Sequence, residues 1–216
     1  MGILTALLIA RLVAGGDAEE SASAAIVRLG GVIRRDEKLP GTRVIFVSLS
    51  GTTVKDTELK ELAAFEQLHW LMLDRTKVTD AGLRDLVALK QLQLLSLSST
   101  NVSDTGLKDL AALKHLKGLL LRSTNVSDAG LKDIAALSRL QLLDLSHTKV
   151  SDAGLKDVAS LKQLDSLSLV GTSVTDAGLK ELVALKQLRI LYLGMTKVTH
   201  AGLKEFRKSL PRCEIP

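Results

Sequence analysis

The amino-acid sequence predicts an elongated α/β array of small repeating units rather than one globular core. A 24-residue motif recurs seven times from about residue 44 to the C-terminus, and residues 164–187 are a typical copy. The first part of each copy has the alternation of a short strand, and the second part has the capping residues and apolar spacing of a short helix. Units of this kind are stable only when they stack on one another and share an apolar interior.

The strand prediction comes from leucines at fixed positions, counted with Leu164 as position one. Leucine recurs at positions one, four and six, which places positions four and six on one face of a strand and positions three, five and seven on the other. Threonine occupies position nine and valine position eleven in all seven units. We expect the threonine hydroxyls to form a ladder that satisfies backbone groups in the turn after each strand.

The helix prediction comes from the second half of each unit. Serine or threonine at position twelve, as at Ser127, is a good N-cap, and the aspartate that follows lies at the positive end of the helix. We expect a helix of about ten residues. Glycine recurs at position fifteen in six units, although it costs on the order of 0.5–1 kcal/mol in a helix. Its repetition predicts a close approach to the neighbouring unit at residues such as Gly130.

These motifs resemble a known family. The L-x-x-L-x-L spacing with a fixed polar residue after it is similar to leucine-rich repeats, and the Thr/Ser-Asp-Ala-Gly-Leu-Lys segment resembles the T-D-x-G-L subclass of bacterial repeat proteins and F-box proteins. The resemblance covers about four-fifths of the chain. It implies a curved solenoid with a parallel sheet on the concave side and short helices on the convex side. Threonine at position nine departs from the asparagine or cysteine that is usual in the family.

The ends of the chain predict segments of a different kind. Residues 1–16 are apolar except for Arg11, and two interpretations of residues 1–17 stay open: a degraded export signal or a loose N-terminal segment. An exported and a cytoplasmic location are therefore both open. Residues 18–43 predict an N-terminal cap made of a helix and a strand, because the first strand of a parallel stack would otherwise be exposed.

The seven repeats are assigned to residues 44–209, and residues 210–216 predict a half-repeat C-terminal cap. Leu210, Cys213 and Ile215 reproduce the leucine spacing, so we expect Cys213 at a buried leucine position. As the only cysteine, Cys213 excludes an internal disulfide and fits no zinc or redox motif. The four histidines occupy four different unit positions, so the sequence predicts neither a metal site nor a cofactor.

Composition narrows the function without naming it. Aromatic residues make up 2% of the chain, so the core must consist of aliphatic side chains. The net charge of +5 could indicate a nucleic-acid partner, but most basic residues adjoin acids, as Lys132 adjoins Asp133. We therefore expect a solvated surface of mixed charge.

The residues that differ between units are the candidates for function, because packing already explains the repeated ones. We predict a non-enzymatic, monomeric module that binds a protein or peptide on the concave sheet face, where exposed aromatic and apolar side chains are unusual. A shallow apolar trough, or cover by the N-terminal segment, is the structural alternative. The candidate binding residues are Phe46, Trp70, Met72, Asp74, Leu94, Leu120, Arg122, Leu142, Asp144, Ile190 and Tyr192.

Two other functions remain open from the sequence. Convex lysines could bind nucleic acid or another anionic surface, and this binding would depend steeply on salt. Asp144, His147 and Ser168, with Ser146 nearby, contain the residue types of a hydrolytic triad. A shallow sheet lacks the pocket and oxyanion donors that such chemistry needs. The lysines in question are Lys90, Lys114, Lys162 and Lys186.

Overall fold

A computed structural model describes residues 18–36, 38 and 43–216 of the chain. The candidate export signal at residues 1–17 and residues 37 and 39–42 of the predicted N-terminal cap lie outside the described residues. The described strands form one sheet of eight in chain order, in which β1 and β2 are antiparallel and all later neighbours are parallel. The strands are β1 (Val32–Asp36), β2 (Arg43–Ser48), β3 (Trp70–Met72), β4 (Leu94–Ser96), β5 (Gly118–Leu120), β6 (Leu142–Asp144), β7 (Ser166–Ser168) and β8 (Ile190–Tyr192).

A helical segment follows each parallel strand on the other side of the sheet. Most of these helices have seven residues rather than about ten, because the chain tightens into a turn that leads back to the sheet, as where the amide of Leu89 donates to the carbonyl of Leu86 at 2.9 Å. The helices are α1 (18–28), a 3₁₀ segment (Asp56–Ala64), α2 (Asp80–Leu86), α3 (Asp104–Leu110), α4 (Asp128–Ile134), α5 (Leu155–Val158), α6 (Asp176–Leu182) and α7 (His200–Ser209).

Position nine satisfies the turn after each strand, as predicted. The hydroxyl of Thr124 donates to the carbonyl of Leu121 at 2.6 Å, and the equivalent bond forms in every unit. Each threonine therefore satisfies its own unit and does not bond to the threonine of the next one. The predicted N-caps are confirmed in most units, since the side chain of Ser127 accepts from the amide of Ala129. Ser151 is the exception, because α5 begins only at Leu155 and has Gly154 as its N-cap.

The aspartate at position thirteen has a partner that the sequence did not reveal. The carboxylate of Asp104 accepts from both the amide and the hydroxyl of Ser127 in the next unit, at 2.7 and 2.6 Å. The same pair of bonds forms at all six junctions between the seven units, and we call this series the aspartate ladder. Its pairs are Asp56–Thr79, Asp80–Ser103, Asp104–Ser127, Asp128–Ser151, Asp152–Thr175 and Asp176–Thr199.

The ladder explains the glycine at position fifteen. A Cβ added at Gly130 would lie 2.5 Å from Oδ1 of Asp104 and 2.8 Å from Cδ1 of Leu107, both in the preceding unit. The predicted close approach is confirmed, and its cause is the ladder carboxylate together with the leucine behind it. At the last rung, the hydroxyl and then the amide of Thr199 lower the pKa of Asp176, so this carboxylate stays ionised at neutral pH.

Position eight adopts a left-handed backbone conformation in every unit. Gly51 and Gly171 occupy it in two units, and five other units place a larger residue there at φ between 54° and 58°. A left-handed residue with a side chain costs about 1–2 kcal/mol. The amide of Ser99 donates to the carbonyl of Arg122 at 2.7 Å, and such bonds between neighbouring units hold the conformation. The five residues are Arg75, Ser99, Ser123, His147 and Met195.

The N-terminal helix packs against the first unit through a buried carboxylate. Glu19 is 3% exposed and accepts from the guanidinium of Arg35 at 2.9 Å, from that of Arg43 at 3.4 Å and from the amide of Val44 at 2.9 Å. Ile26, on the same helix, is fully buried in the core cluster. A charged hydrogen-bond network therefore fixes α1 to β1 and β2 where the aspartate ladder has not yet begun.

The C-terminal segment departs from the predicted spacing. Glu214 is the parallel partner of Ile190, so Ile215 rather than Cys213 is aligned with Leu191 at position four. The prediction for Cys213 was wrong in register, because the segment keeps the 24-residue offset of the sheet and does not restart at Leu210. Cys213 is nonetheless buried, at 7% exposure.

Candidate binding surface

The strand register arranges the variable residues of the concave face in two rows. The row at position three runs across the sheet as Phe46, Trp70, Leu94, Gly118, Leu142, Ser166 and Ile190. The row at position five runs as Ser48, Met72, Ser96, Leu120, Asp144, Ser168 and Tyr192. Neighbours in a row are separated by about 4.8 Å, the spacing of paired strands.

The apolar residues of these rows are less exposed than the alternation predicts. Trp70 is 38% exposed and Tyr192 39%, whereas Phe46, Met72, Leu94, Leu120, Leu142 and Ile190 are half-buried. Neighbouring side chains in a row cover one another. The side chain of Leu94, for example, lies over buried Gly118, where an added Cβ would be 3.0 Å from Cδ1 of Leu94. The surface is a shallow apolar strip with one exposed aromatic residue towards each end.

The antiparallel strand β1 extends the strip by one residue that the sequence analysis missed. Arg34 is the register partner of Phe46, and its guanidinium carbon lies 5.3 Å from the centre of the Phe46 ring. This is cation–π geometry. The signal was absent from the sequence because β1 lies outside the repeats and its pairing direction does not follow from their period.

Asp74 is held in place by hydroxyls of its own face. Its carboxylate accepts from the hydroxyl of Ser50 at 3.0 Å, from the amide of Ser98 at 3.3 Å and from the hydroxyl of Ser96. Both carboxylate oxygens are thus bonded within the protein. Asp74 fixes the turn after β3 and has little remaining capacity to bind a ligand.

Asp144 is bonded on one oxygen only. Oδ1 accepts from the amide of Ser146 at 2.8 Å and from the Ser146 hydroxyl, whose oxygen lies 2.7 Å from that of Ser168. Among the described residues, no group donates to Oδ2 of Asp144, and Arg122 forms no ion pair with it. The half-buried carboxylate therefore keeps a negatively charged oxygen available on the concave face.

Comparison with known proteins supports the architecture. A family model described as a leucine-rich repeat region matches residues 47–214. The chain belongs to the leucine-rich repeat proteins. A search of the curated proteins finds no match.

Several solved leucine-rich repeat structures share the fold. Internalin C2 of Listeria monocytogenes is 20% identical, with a TM-score of 0.58, over 90% of this chain and 92% of that one. The Leptospira interrogans leucine-rich repeat protein LIC12759 is 21% identical over 73% of this chain and 50% of that one, with a TM-score of 0.52. The PEPR1–AtPEP1 structure is 18% identical over 85% of this chain and 25% of that one, with a TM-score of 0.55. At these identities the likeness concerns the fold.

The leucine-rich repeat scaffold does not assemble the hydrolytic triad. His147 lies at the left-handed position eight and is exposed, with its imidazole directly over Gly171. Among the described residues, no hydrogen bond joins this imidazole to Asp144 or Ser168; Ser146 lies between those two instead. The proton-transfer chain that a triad requires is not formed.

Cys213 is equally unsuited to act as a nucleophile. Burial, with a smaller contribution from the charge of Glu214, raises the pKa of the Cys213 thiol to about 11. The thiol therefore stays protonated at neutral pH, whereas the thiolate is the reactive form. Its role in this repeat protein is to fill space beside Leu210.

The four lysines of the nucleic-acid hypothesis follow the helices along the chain. They are exposed, but they occupy the turns that lead from each helix back to the sheet rather than the helices themselves. Two of them donate to backbone carbonyls: Lys114 to Ala136 at 3.5 Å and Lys162 to Ala159 at 2.6 Å.

No helix among the described residues is long and apolar enough to cross a membrane.

Proposed function

We propose that this leucine-rich repeat protein is a non-enzymatic, monomeric module that binds a protein or peptide on its concave sheet face. The observation that carries the proposal is the exposure of Trp70 and Tyr192 on an otherwise half-buried apolar strip. Aromatic side chains are enriched among the residues that supply most of the binding energy at protein interfaces. Leucine-rich repeat proteins commonly mediate protein–protein interaction, which agrees with this use of the face.

The dimensions of the face suit an extended segment of a partner. Trp70 on β3 and Tyr192 on β8 are five strand spacings apart, which is about 24 Å. An extended chain of about seven residues covers this distance. Half-buried apolar residues, such as Leu94, Leu120 and Leu142, lie between the two aromatic side chains and shield part of the face from water.

The test is affinity capture from the source organism with matched variants of the same protein. We expect Trp70→Ala combined with Tyr192→Ala to lose the captured partner while the melting temperature changes by only a few degrees. The control is Val27→Ala, since Val27 is 57% exposed on α1 and lies away from the sheet face. Capture that survives the double substitution, or that is lost equally with Val27→Ala, would place the binding surface elsewhere.

We infer further that the chain belongs to the T-D-x-G-L subclass of leucine-rich repeats. The aspartate ladder supports this assignment, because the Ser/Thr donor, the Asp acceptor and the Gly form one contact between units and recur together. The monomeric state is checked by light scattering of the purified chain.

A further inference from the structure

A polar gap interrupts the apolar strip of the concave face at β7. Ser166 and Ser168 occupy the two row positions there, and both side chains are small and half-buried. Larger side chains flank them on each neighbouring strand. The backbones of the two flanking strands are two strand spacings apart, which is about 9.6 Å. The flanking residues are Leu142 and Asp144 on β6 and Ile190 and Tyr192 on β8.

Each side of the gap presents a group that attracts a cation. On the β6 side, Oδ2 of Asp144 has no donor, whereas Oδ1 is held by Ser146 and fixes the orientation of the carboxylate. On the β8 side, Tyr192 presents an exposed aromatic ring in the same row. A carboxylate accepts charged hydrogen bonds, and an aromatic face attracts a cation, so both sides favour the same kind of group.

We propose that the gap over β7 receives an arginine or lysine side chain of the bound protein or peptide, between Asp144 and Tyr192. This inference rests on the proposed function, since it identifies the chemistry of a partner on the same face. The cationic head donates to Oδ2 of Asp144, and the apolar stem of the side chain packs against Ile190 and Leu142. The serine hydroxyls of the floor supply further acceptors for a guanidinium or an ammonium group.

The remaining charges on the face support this placement over the alternatives. Asp74 is saturated by serine donors and offers no comparable oxygen. Arg122 is exposed at position seven and forms no ion pair with Asp144. No cation among the described residues therefore neutralises this carboxylate. An apolar partner side chain in the gap would remove Asp144 from water without a partner, which is strongly unfavourable.

The test is selection of binders from a random twelve-residue peptide library displayed on phage, followed by affinity measurements with synthetic peptides. We expect the peptides that bind the wild-type concave face to be enriched in arginine or lysine. Asp144→Asn, which removes the charge but keeps an acceptor for Ser146, should weaken these peptides about tenfold to a hundredfold. Replacing the selected arginine by citrulline should weaken binding to a similar extent without a change in shape.

Two matched variants complete the design. Asp85→Asn removes an exposed charge from α2, outside the candidate binding residues, and should change the affinity less than threefold. Ser168→Leu fills the gap while retaining Asp144 and should weaken the basic peptides as strongly as Asp144→Asn does. The melting temperature of each variant confirms that it is folded.

The outcomes separate this inference from the proposed function. Peptides that are lost with Trp70→Ala and Tyr192→Ala, but that contain no basic residue or bind Asp144→Asn unchanged, would overturn the inference and leave concave-face binding intact. Peptides that bind regardless of every concave substitution would overturn both. Binding that depends on the basic residue, on Asp144 and on an open gap supports both.

Discussion

The interior units and the two terminal units of the array differ at the three positions that form the aspartate ladder. Interior units have Ser or Thr at position twelve, Asp at thirteen and Gly at fifteen. The first unit has no unit before it, and it carries Lys55 and Glu58 at positions twelve and fifteen. The seventh repeat carries His200 at position thirteen, and residues 210–216 after it contain no serine or threonine donor. The repeated residues are therefore contacts between units rather than requirements of each helix.

The N-terminal end replaces the ladder by a different charged network. In the interior, a carboxylate of one unit bonds to the backbone and hydroxyl of the next. At the end, Glu19 of α1 performs the equivalent task by accepting from the amide of Val44 and from two arginines. The carboxylate is 3% exposed there, while the ladder aspartates are half-buried. The end of the array should accordingly be the more sensitive to removal of one acid.

The largest effect is expected from Glu19→Ala. The substitution leaves Arg35, Arg43 and the Val44 amide without their buried acceptor, and loss of one partner of a buried ion pair costs about 3–5 kcal/mol. The free energy of unfolding from urea titration measures it. Glu20→Ala is the control, because Glu20 also pairs with Arg35 but is 71% exposed, and such pairs contribute about 0–1 kcal/mol. If both substitutions lowered the free energy of unfolding by the same small amount, the buried network of Glu19 would not stabilise the first unit.

The next effect is expected from Gly130→Val in the interior. The added side chain overlaps Asp104 and Leu107, and overpacking of this kind costs about 2–3 kcal/mol. Glu58→Val places the same residue at position fifteen of the first unit, where no preceding carboxylate exists, and should cost only about 1 kcal/mol through the lost bond to the Lys55 amide. An unchanged melting temperature for Gly130→Val would show that position fifteen is not a close contact.

A smaller effect is expected when the contact between Gly130 and Asp104 is tested alone. In a double-mutant cycle, Gly130→Ala should be less destabilising in an Asp104→Ala background, because the shortened side chain leaves space for the new Cβ. We expect a coupling energy of about 1 kcal/mol. Additive effects would assign the glycine to the leucine contact alone.

The smallest effect is expected from His200→Asp. The substitution introduces the interior residue where residues 210–216 offer it no serine or threonine donor, so the free energy of unfolding should change by no more than about 0.5 kcal/mol. The reverse exchange in the interior, Asp104→His, should cost about 1.5–3 kcal/mol through loss of the two bonds to Ser127. A marked gain from His200→Asp would show that the aspartate acts within its own helix.

The sequence predicts features whose cause lies within one unit. The strands, the N-caps such as Ser127 and the threonine bonds of the turns depend on residues a few positions apart, so their spacing reveals them. The partner of Asp104 lies 23 residues ahead, and a periodic sequence offers the same residues at every multiple of the period. The left-handed conformation of Ser123 was missed because only two of the seven units mark that position with glycine.

The candidate surface was predictable in position but not in degree of exposure. Strand alternation places Trp70 and Tyr192 on the concave face, where the structure also has them. Mutual cover within a row depends on side-chain conformation and on neighbours such as Gly118, which the alternation does not include. The different bonding of Asp74 and Asp144 depends on which serines lie beside them in space, and serine is too frequent in this sequence for spacing alone to choose among them.

The ladder also determines how an array of this type can change in length. Each interior unit provides one carboxylate at its leading side and one glycine with a Ser/Thr donor at its trailing side, so the two sides of every interior junction are chemically identical. Duplication or excision of one or more whole 24-residue segments between residues 80 and 199 therefore recreates an intact junction, whereas a segment whose length is not a multiple of 24 does not. Recombination between repeats can lengthen or shorten the concave face while both specialised ends are retained.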